Sequence, residues 1–177
     1  MIHSYLSRNE GKTLEFKENC RPVRGIIRTA VAFANTAGGS IAIGIRDKTK
    51  EIVGLNDPLA DEERLANVFA QGIEPLLVPD LRIHSWRDRE LIVVSVAHTV
   101  GPYYVQSEGP KSGVYVRLGS TNRRAGPEMI AELQRRARNT SFDEQPFPES
   151  NSEDIDFRAA SEFFRKTARS LTPSAVY

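Results

Sequence analysis

The chain has 177 residues, of which 40% are hydrophobic and 27% charged, values typical of a globular domain in water. No apolar run approaches the roughly 20 residues that a membrane-spanning helix requires, and the first residues lack the apolar segment of a signal peptide. We therefore expect a cytoplasmic protein without a membrane partner. The single cysteine, Cys20, excludes an internal disulfide and argues against a cysteine-based zinc site.

Charge is unevenly distributed along the chain. Residues 1–140 contain 20 lysines and arginines against 16 acidic residues, whereas residues 141–177 contain 4 against 7. A basic body followed by an acidic tail favours an anionic partner for the body. The excess of positive charge is far smaller than in proteins that coat DNA.

The first elements are predicted from apolar periodicity. Residues 13–17 alternate between apolar and polar, which predicts a short strand. Pro22 then opens a helix whose apolar residues recur every three or four positions. Residues 40–46 alternate again and predict a second strand, which could pair with the first.

Gly38 and Gly39 separate this helix from the second strand, and Gly38 is placed to end the helix. A phosphate-binding loop precedes a helix, whereas these glycines follow one, so they predict a tight turn rather than a phosphate site. Asn35 and Thr36 lie in the last helical turn. We expect them to cap the helix end or to bond the adjacent strand.

The rest of the body predicts hairpins and two more helices. Asp57 and Pro58 form a helix start, with Asp57 as the N-cap, and Pro127 starts a third helix. Strands are predicted at residues 51–55, 81–87, 90–96 and 114–118, and a polar loop at 119–126. The strand at 90–96 is nearly all apolar, which predicts a central position covered on both faces. We expect an α+β fold with a mixed, mainly antiparallel sheet and about three packed helices.

The composition changes after the third helix. Residues 142–152 are rich in proline, serine and acidic residues, which predicts a linker, and residues 156–171 predict an amphipathic helix. We therefore divide the chain into a folded domain, 1–140, and a segment, 141–177, that leads into an absent C-terminal region.

Three carboxylates and a lysine form the sharpest candidate site. Glu15 and Lys17 project from one face of the first strand, Asp47 follows the second strand, and Glu10 lies just upstream. Converging carboxylates would hold Mg²⁺ or Mn²⁺, and Lys17 could stabilise developing phosphate charge. The alternative is a cross-strand Glu–Lys ion pair on a solvated face.

Cations and amides near the predicted polar loop form a second candidate site. Arg117, Asn122, Arg123 and Arg124 could contact phosphates, and the tyrosines that precede them could stack on unpaired bases. The alternative is a solvated loop followed by a charged helix face.

Several of these motifs together resemble the Schlafen AlbA family of DNA-binding domains. They are Glu10 and Glu15 followed by Phe-Lys, the phrase AFANTAGGSIAIGI with Asp47 after it, Ile-Val-Gly at 52–54 and Tyr-Val-Arg-Leu-Gly-Ser at 115–120. The resemblance covers about residues 8–140. It implies the N-terminal domain of a bacterial transcriptional regulator. In the eukaryotic branch, residues matching Glu10, Glu15 and Asp47 support RNA cleavage, but that core uses two such lobes and a zinc site that this chain lacks.

Three functional hypotheses follow. The first is a nucleic-acid-binding regulatory domain, a homodimer that needs no cofactor and contacts DNA or RNA through the Arg123–Arg124 segment and through Lys12, Lys17 and Arg46. The second is a ribonuclease that depends on Mg²⁺ or Mn²⁺ bound by the three carboxylates. The third is an oligomerisation or sensor module.

Overall fold

The computed structural model describes residues 2–138 and 156–170. Contacts divide the chain into two units, Met1–Thr140 and Ser141–Tyr177. The predicted linker at residues 142–152 lies outside the described residues. Across the described ranges, no helix is both long enough and apolar enough to cross a membrane.

The first unit is an α+β fold, as predicted. Its helices are α1 (Ile2–Leu6), α2 (Val23–Thr36), α3 (Pro58–Gly72), α4 (Gly109–Ser112) and α5 (Pro127–Ala137). Its strands are β1 (Leu14–Lys17), β2 (Gly39–Ile43), β3 (Ile73–Glu74), β4 (Asp80–Trp86), β5 (Arg89–Val96), β6 (Tyr104–Val105), β7 (Tyr115–Leu118) and β8 (Thr121–Arg124). Four strands form the main sheet in the order β1-β2-β5-β4. β1 runs parallel to β2, and the other two pairs are antiparallel, so the sheet is mixed and mainly antiparallel.

Strand β5 is central in the sheet and covered on both faces, which confirms its prediction. Ile92 and Val94 face the larger core, which includes the apolar residues of α2 and α3. Leu91 and Val93 face a smaller core, built with Leu14 and other apolar residues of α1, β1 and β2. The alternation of one strand between two cores explains its nearly continuous apolar sequence.

Helix α3 begins as its sequence predicts. The Asp57 side chain accepts a hydrogen bond from the N–H of Ala60 (3.1 Å), and Pro58 occupies the first turn. Proline suits this position because the first N–H groups of a helix have no partner within the helix.

The second strand is shorter than predicted. It ends at Ile43, because Gly44 adopts a positive φ of 103° and turns the chain. The predicted return strand at 51–55 is reduced to one bridge between Ile45 and Ile52. The N–H groups of Gly44 and Ile45 both donate to the carbonyl of Lys17 (2.8 and 3.0 Å), which holds the start of the Asp47 turn beside the end of β1.

The predicted loop at 119–126 is wrong. Residues 121–124 form β8, which pairs with β7 so that Arg117 lies opposite Asn122 and Val116 opposite Arg123. Gly119 turns the hairpin with a φ of 59°. The segment has no apolar alternation because most of its side chains are exposed, so its strand character was not visible in the sequence.

The described part of the second unit is helix α6 (Phe157–Ser170), which confirms the predicted C-terminal helix. The Asp156 side chain accepts hydrogen bonds from the N–H groups of Arg158 and Ala159 (both 3.0 Å) and caps its first turn. Phe157, Phe163 and Phe164 are exposed.

Candidate nucleic-acid interface

The end of α2 is joined to neighbouring segments by two polar side chains. Asn35 is buried; its amide donates to the carbonyls of Tyr103 (2.8 Å) and Tyr115 (2.9 Å), and its oxygen accepts from the Tyr103 N–H (2.8 Å). The Thr36 hydroxyl accepts from the Arg117 N–H (2.9 Å). Asn35 and Thr36 thus bond a strand, as one of the two expected roles required, but this strand is β7 and not β2, which follows the helix.

The two glycines after this helix leave no room for side chains. Gly38 has a φ of 68°, and a Cβ there would lie 2.8 Å from both the Val96 carbonyl oxygen and the His98 nitrogen. A Cβ on Gly39 would lie 2.9 Å from the Phe33 ring. The turn is therefore an architectural device that brings β2 close to β5 and α2, as expected from the glycine pair.

Arg117 on β7 is the buried link between the hairpin and β1. Its side chain is 1% exposed and lies over the Phe33 ring, with 5.2 Å between guanidinium carbon and ring centre. The guanidinium donates to oxygens of Glu15 (2.6 Å), Asn122 (2.8 Å), Gly11 (3.0 Å) and Leu14 (3.4 Å). This placement argues against direct contact with nucleic acid, and Arg117 instead fixes the position of the β7–β8 hairpin.

Glu15 on β1 lies between two cations. One carboxylate oxygen contacts the Lys17 ammonium, and the other accepts from Arg117. The Glu15 side chain is 10% exposed and that of Lys17 is 32% exposed. The Glu–Lys pair predicted as the alternative to a metal site is present, but it lies within one strand and its carboxylate is nearly buried.

Glu10 lies near the other two predicted carboxylates. Burial raises the pKa of its carboxyl to about 7; a hydrogen bond from the Phe16 N–H (2.5 Å) opposes this rise, and the neighbouring Glu15 and Asp47 add to it. Glu10 therefore interacts electrostatically with both Glu15 and Asp47.

This acidic cluster does not fit a metal site as its side chains stand. Both carboxylate oxygens of Glu15 already contact cations. Among residues 2–138 and 156–170, no three His, Cys, Asp or Glu side chains are arranged to hold a metal ion. A divalent ion would have to displace Lys17 or Arg117 from Glu15.

The predicted surface cations differ in their surroundings. Lys12 and Arg123 are exposed, and neither forms an ion pair with another described residue. Arg46 is partly occupied, since it pairs with Glu18 (3.2 Å) and Glu51 (2.5 Å). Lys12 and Arg123 are therefore the predicted contacts most available to an anionic partner.

Asn122 has an internal role. Its oxygen accepts from Arg117, and its amide donates to the Thr29 hydroxyl on α2 (2.8 Å). These two bonds fix β8 to the body. Asn122 therefore positions the exposed arginines that follow it on β8 and does not offer free donors to a ligand.

Arg124 belongs to a cluster that the sequence did not predict. Its guanidinium donates to the Tyr115 hydroxyl (3.2 Å) and to Glu108 (3.2 Å), and Glu108 also accepts from Arg24 and Arg28 on α2. We call Glu108, Arg24, Arg28 and Arg124 the arginine cluster. The spacing of Arg24 and Arg28 places both on one helix face, but nothing in the sequence links them to a glutamate about 80 residues away.

Residues 10–126 match the sequence profile of the family described as Schlafen, AlbA_2. The chain is also similar to two solved structures. One is the DIP2311 protein from Corynebacterium diphtheriae, with 20% identity and a TM-score of 0.58, where the match covers 97% of this chain and 34% of that one. At this identity, the likeness concerns the fold.

The second is the N-terminal domain of a protein from Nitrosomonas europaea described as related to the ATP-dependent DNA helicase RecG. Its identity is 26% and its TM-score 0.52, and the match covers 69% of this chain and 91% of that domain. This chain thus spans about a third of the C. diphtheriae protein but most of the N. europaea domain.

Proposed function

The chain belongs to the Schlafen, AlbA_2 family, and on that premise we propose that it is the nucleic-acid-binding domain of a DNA-binding transcriptional regulator. Domains of this family generally bind nucleic acid. The observation that carries the proposal is the β7–β8 hairpin, which exposes Arg123 and Arg124 while the buried Arg117 joins it to β1.

The same buried arginine brings a further cation to this region. Arg117 donates to the carbonyl of Gly11 (3.0 Å), and Lys12 follows directly in the chain and is exposed. Arginine and lysine side chains held on an ordered backbone are the usual donors to phosphate oxygens. Binding should therefore be largely electrostatic and should weaken steeply as salt is added.

The test is a fluorescence-polarisation titration of the full chain with labelled duplex DNA, single-stranded DNA and RNA at low salt. We expect binding that is weakened in the K12Q/R123Q double variant and unchanged in R82Q. Arg82 is an exposed arginine on β4, so its loss changes the charge without touching the hairpin. Absence of binding to all three nucleic acids would exclude this function.

Further parts of the proposal concern the setting of the domain. We also propose that the domain acts in the cytoplasm as a homodimer and that a longer C-terminal region supplies additional function; the C. diphtheriae chain of similar fold is about three times as long as this one. Light scattering coupled to size-exclusion chromatography measures the oligomeric state. A monomer at concentrations that support DNA binding would exclude the dimer.

We propose a metal-dependent ribonuclease as the second candidate, because Glu10, Glu15 and Asp47 are close enough to perturb the pKa of Glu10. As its side chains stand, the cluster does not fit a metal site, because both carboxylate oxygens of Glu15 contact cations. RNA cleavage that requires Mg²⁺ or Mn²⁺ and disappears in E15Q would support it. Cleavage that persists in E15Q, or none at all with either ion, would exclude it.

A further inference from the structure

We propose that the arginine cluster is a preorganised binding surface for the phosphodiester backbone of nucleic acid, a proposal that rests on the proposed function and extends it to α2. The sequence offered the hairpin arginines as contacts. The structure adds Arg24 and Arg28, and it gives all three arginines a common anchor in Glu108.

The anchor holds each guanidinium by a defined edge. One oxygen of Glu108 accepts from the Nε and Nη2 groups of Arg28 (3.0 and 2.9 Å) and of Arg24 (both 3.2 Å). The other accepts from the Tyr115 hydroxyl (2.7 Å) and from Nη2 of Arg124 (3.2 Å). Three side chains that would otherwise sample many rotamers are thus held together before any ligand arrives, which reduces the entropy lost on binding.

The tyrosine ring supports the same arrangement. The guanidinium carbons of Arg28 and Arg124 lie 5.1 and 6.0 Å from the centre of the Tyr115 ring, within the range of cation–π attraction. Tyr115 itself is buried, and its carbonyl is bonded to Asn35. The ring that supports the cluster is therefore anchored in the buried part of the fold.

Two arginines of the cluster are exposed to solvent, whereas the glutamate that holds them is buried, and this arrangement favours the binding of an anion from solution. The Glu108 side chain is 5% exposed, whereas those of Arg24 and Arg124 are 64% and 59% exposed. Three positive charges face one negative charge, so the cluster retains a net charge of about +2. An approaching anion meets the cations and not the buried carboxylate.

Each arginine also keeps donors for a ligand. A guanidinium has five N–H groups, and Glu108 and Tyr115 occupy only the Nε and Nη2 nitrogens. Within the described residues, the Nη1 groups of Arg24, Arg28 and Arg124 have no hydrogen-bond partner. The guanidinium fork matches two phosphate oxygens, which makes arginine well suited to phosphates.

A purely structural role would not require this number of cations. Tyr115 and Arg28 alone give the Glu108 carboxylate a partner for each oxygen. Arg24 and Arg124 are more than half exposed, and exposed ion pairs contribute little to stability. Placing them beside Arg28 introduces repulsion between like charges, which the phosphates of a nucleic acid would relieve.

The test compares the full-length chain with the R24Q/R124Q and R82Q variants. Arg82 is the control, because its side chain is 62% exposed, as those of Arg24 and Arg124 are, but it pairs with a single exposed carboxylate, that of Asp80. Binding to labelled duplex DNA is measured by fluorescence polarisation from 50 to 200 mM NaCl. Each lost phosphate contact reduces the slope of log K against log [NaCl] by about 0.9.

We expect R24Q/R124Q to reduce that slope by about 1.8, so its loss of affinity relative to the unmodified chain should be about 12-fold larger at 50 mM than at 200 mM NaCl, with R82Q close to the unmodified chain. Equal behaviour of R24Q/R124Q and R82Q, with binding otherwise intact, would overturn the arginine cluster and leave the proposed function standing. Failure of the unmodified chain to bind would overturn both.

A second variant tests preorganisation. E108Q keeps all three arginines and raises the net charge by one. If the cluster were only a diffuse positive patch, E108Q should bind duplex DNA more tightly. If Glu108 holds the arginines in a binding geometry, E108Q should bind more weakly while remaining folded by circular dichroism, and tighter binding would refute the preorganised surface.

Discussion

Arg117 is the residue for which sequence and structure suggest different experimental results. The sequence placed it among nucleic-acid contacts, whereas its side chain is 1% exposed and paired with Glu15 at 2.6 Å. Removing one partner of a buried ion pair costs about 3–5 kcal/mol. Lys17 would still contact Glu15 in R117A, so we expect a loss at the lower end, about 3 kcal/mol of unfolding free energy.

Urea unfolding followed by far-UV circular dichroism measures this loss. With a slope of about 2 kcal/mol per molar urea, the midpoint of R117A should fall by about 1.5 M. R117K should also be destabilised, because a lysine retains the charge but cannot reach the several acceptors that the guanidinium spans. R82A is the control and should stay within about 0.5 kcal/mol, since its ion pair with Asp80 is exposed.

The opposite pattern would refute the burial argument. If R117A and R82A were equally stable and R117A alone lost nucleic-acid binding, Arg117 would be a contact residue after all. The hairpin would then have to open in the bound state.

Four further predictions concern single side chains. N35A should lose about 3 kcal/mol in urea unfolding, since it leaves three backbone groups without a partner. G38A should lower the melting temperature more than G109A, because both have positive φ but only Gly38 lacks room for a Cβ. The pKa of Glu108 is lowered from 4.5 to about 2, so the ionised carboxylate stabilises the fold above pH 4.5. The free energy of unfolding should therefore fall as the pH drops from 4.5 towards 2, and it should fall less in E108Q. The raised pKa of Glu10, about 7, has the opposite sign: stability should fall as the pH rises from 5 to 8, and E10Q should flatten that profile.

The acid sensitivity assigned to Glu108 has an identifiable origin. Burial alone would raise the pKa of its carboxyl, but hydrogen bonds from Tyr115, Arg28 and Arg24 outweigh that effect. The full shift would correspond to about 3 kcal/mol, and screening of the exposed arginines reduces the expected contribution to about 1–2 kcal/mol. E108Q in urea at pH 7 provides the measurement, with E132Q on α5 as a surface control.

Local signals in the sequence predicted the main elements. The periodicity of α2, the Asp57 cap and the apolar run at 90–96 each depend on neighbours within a few positions, and each appears in the structure. The glycine pair predicts a turn for the same reason. The β8 strand was missed because strand prediction depends on alternating burial, and Thr121–Arg124 has almost none.

The candidate site was less predictable because its contacts are distant in sequence. The ion pair between Glu15 and Arg117 joins residues 102 positions apart in the sequence, and that between Arg28 and Glu108 joins residues 80 positions apart. Residue type and spacing identified Glu10, Glu15 and Asp47 as neighbours, since β1 and β2 were expected to pair. No spacing rule could show that Arg117 would be buried while Arg123, on the partner strand, would be exposed.

Residues 34–39 belong to the sequence motif on which the family resemblance depends. They affect function only by holding neighbouring strands in place. Asn35 and Thr36 bond Tyr115 and Arg117 on β7, and the glycines that follow allow β2 to begin beside Phe33. Asn35 is buried, and both polar atoms of its side chain are engaged by backbone groups of the fold. The effect of residues 34–39 is to fix the strand from which Tyr115 reaches Glu108 and on which Arg117 holds Glu15. A change in this motif should therefore reduce binding only by displacing the hairpin and its arginines, whereas a change at Arg24, Arg123 or Arg124 should reduce binding and leave the fold intact.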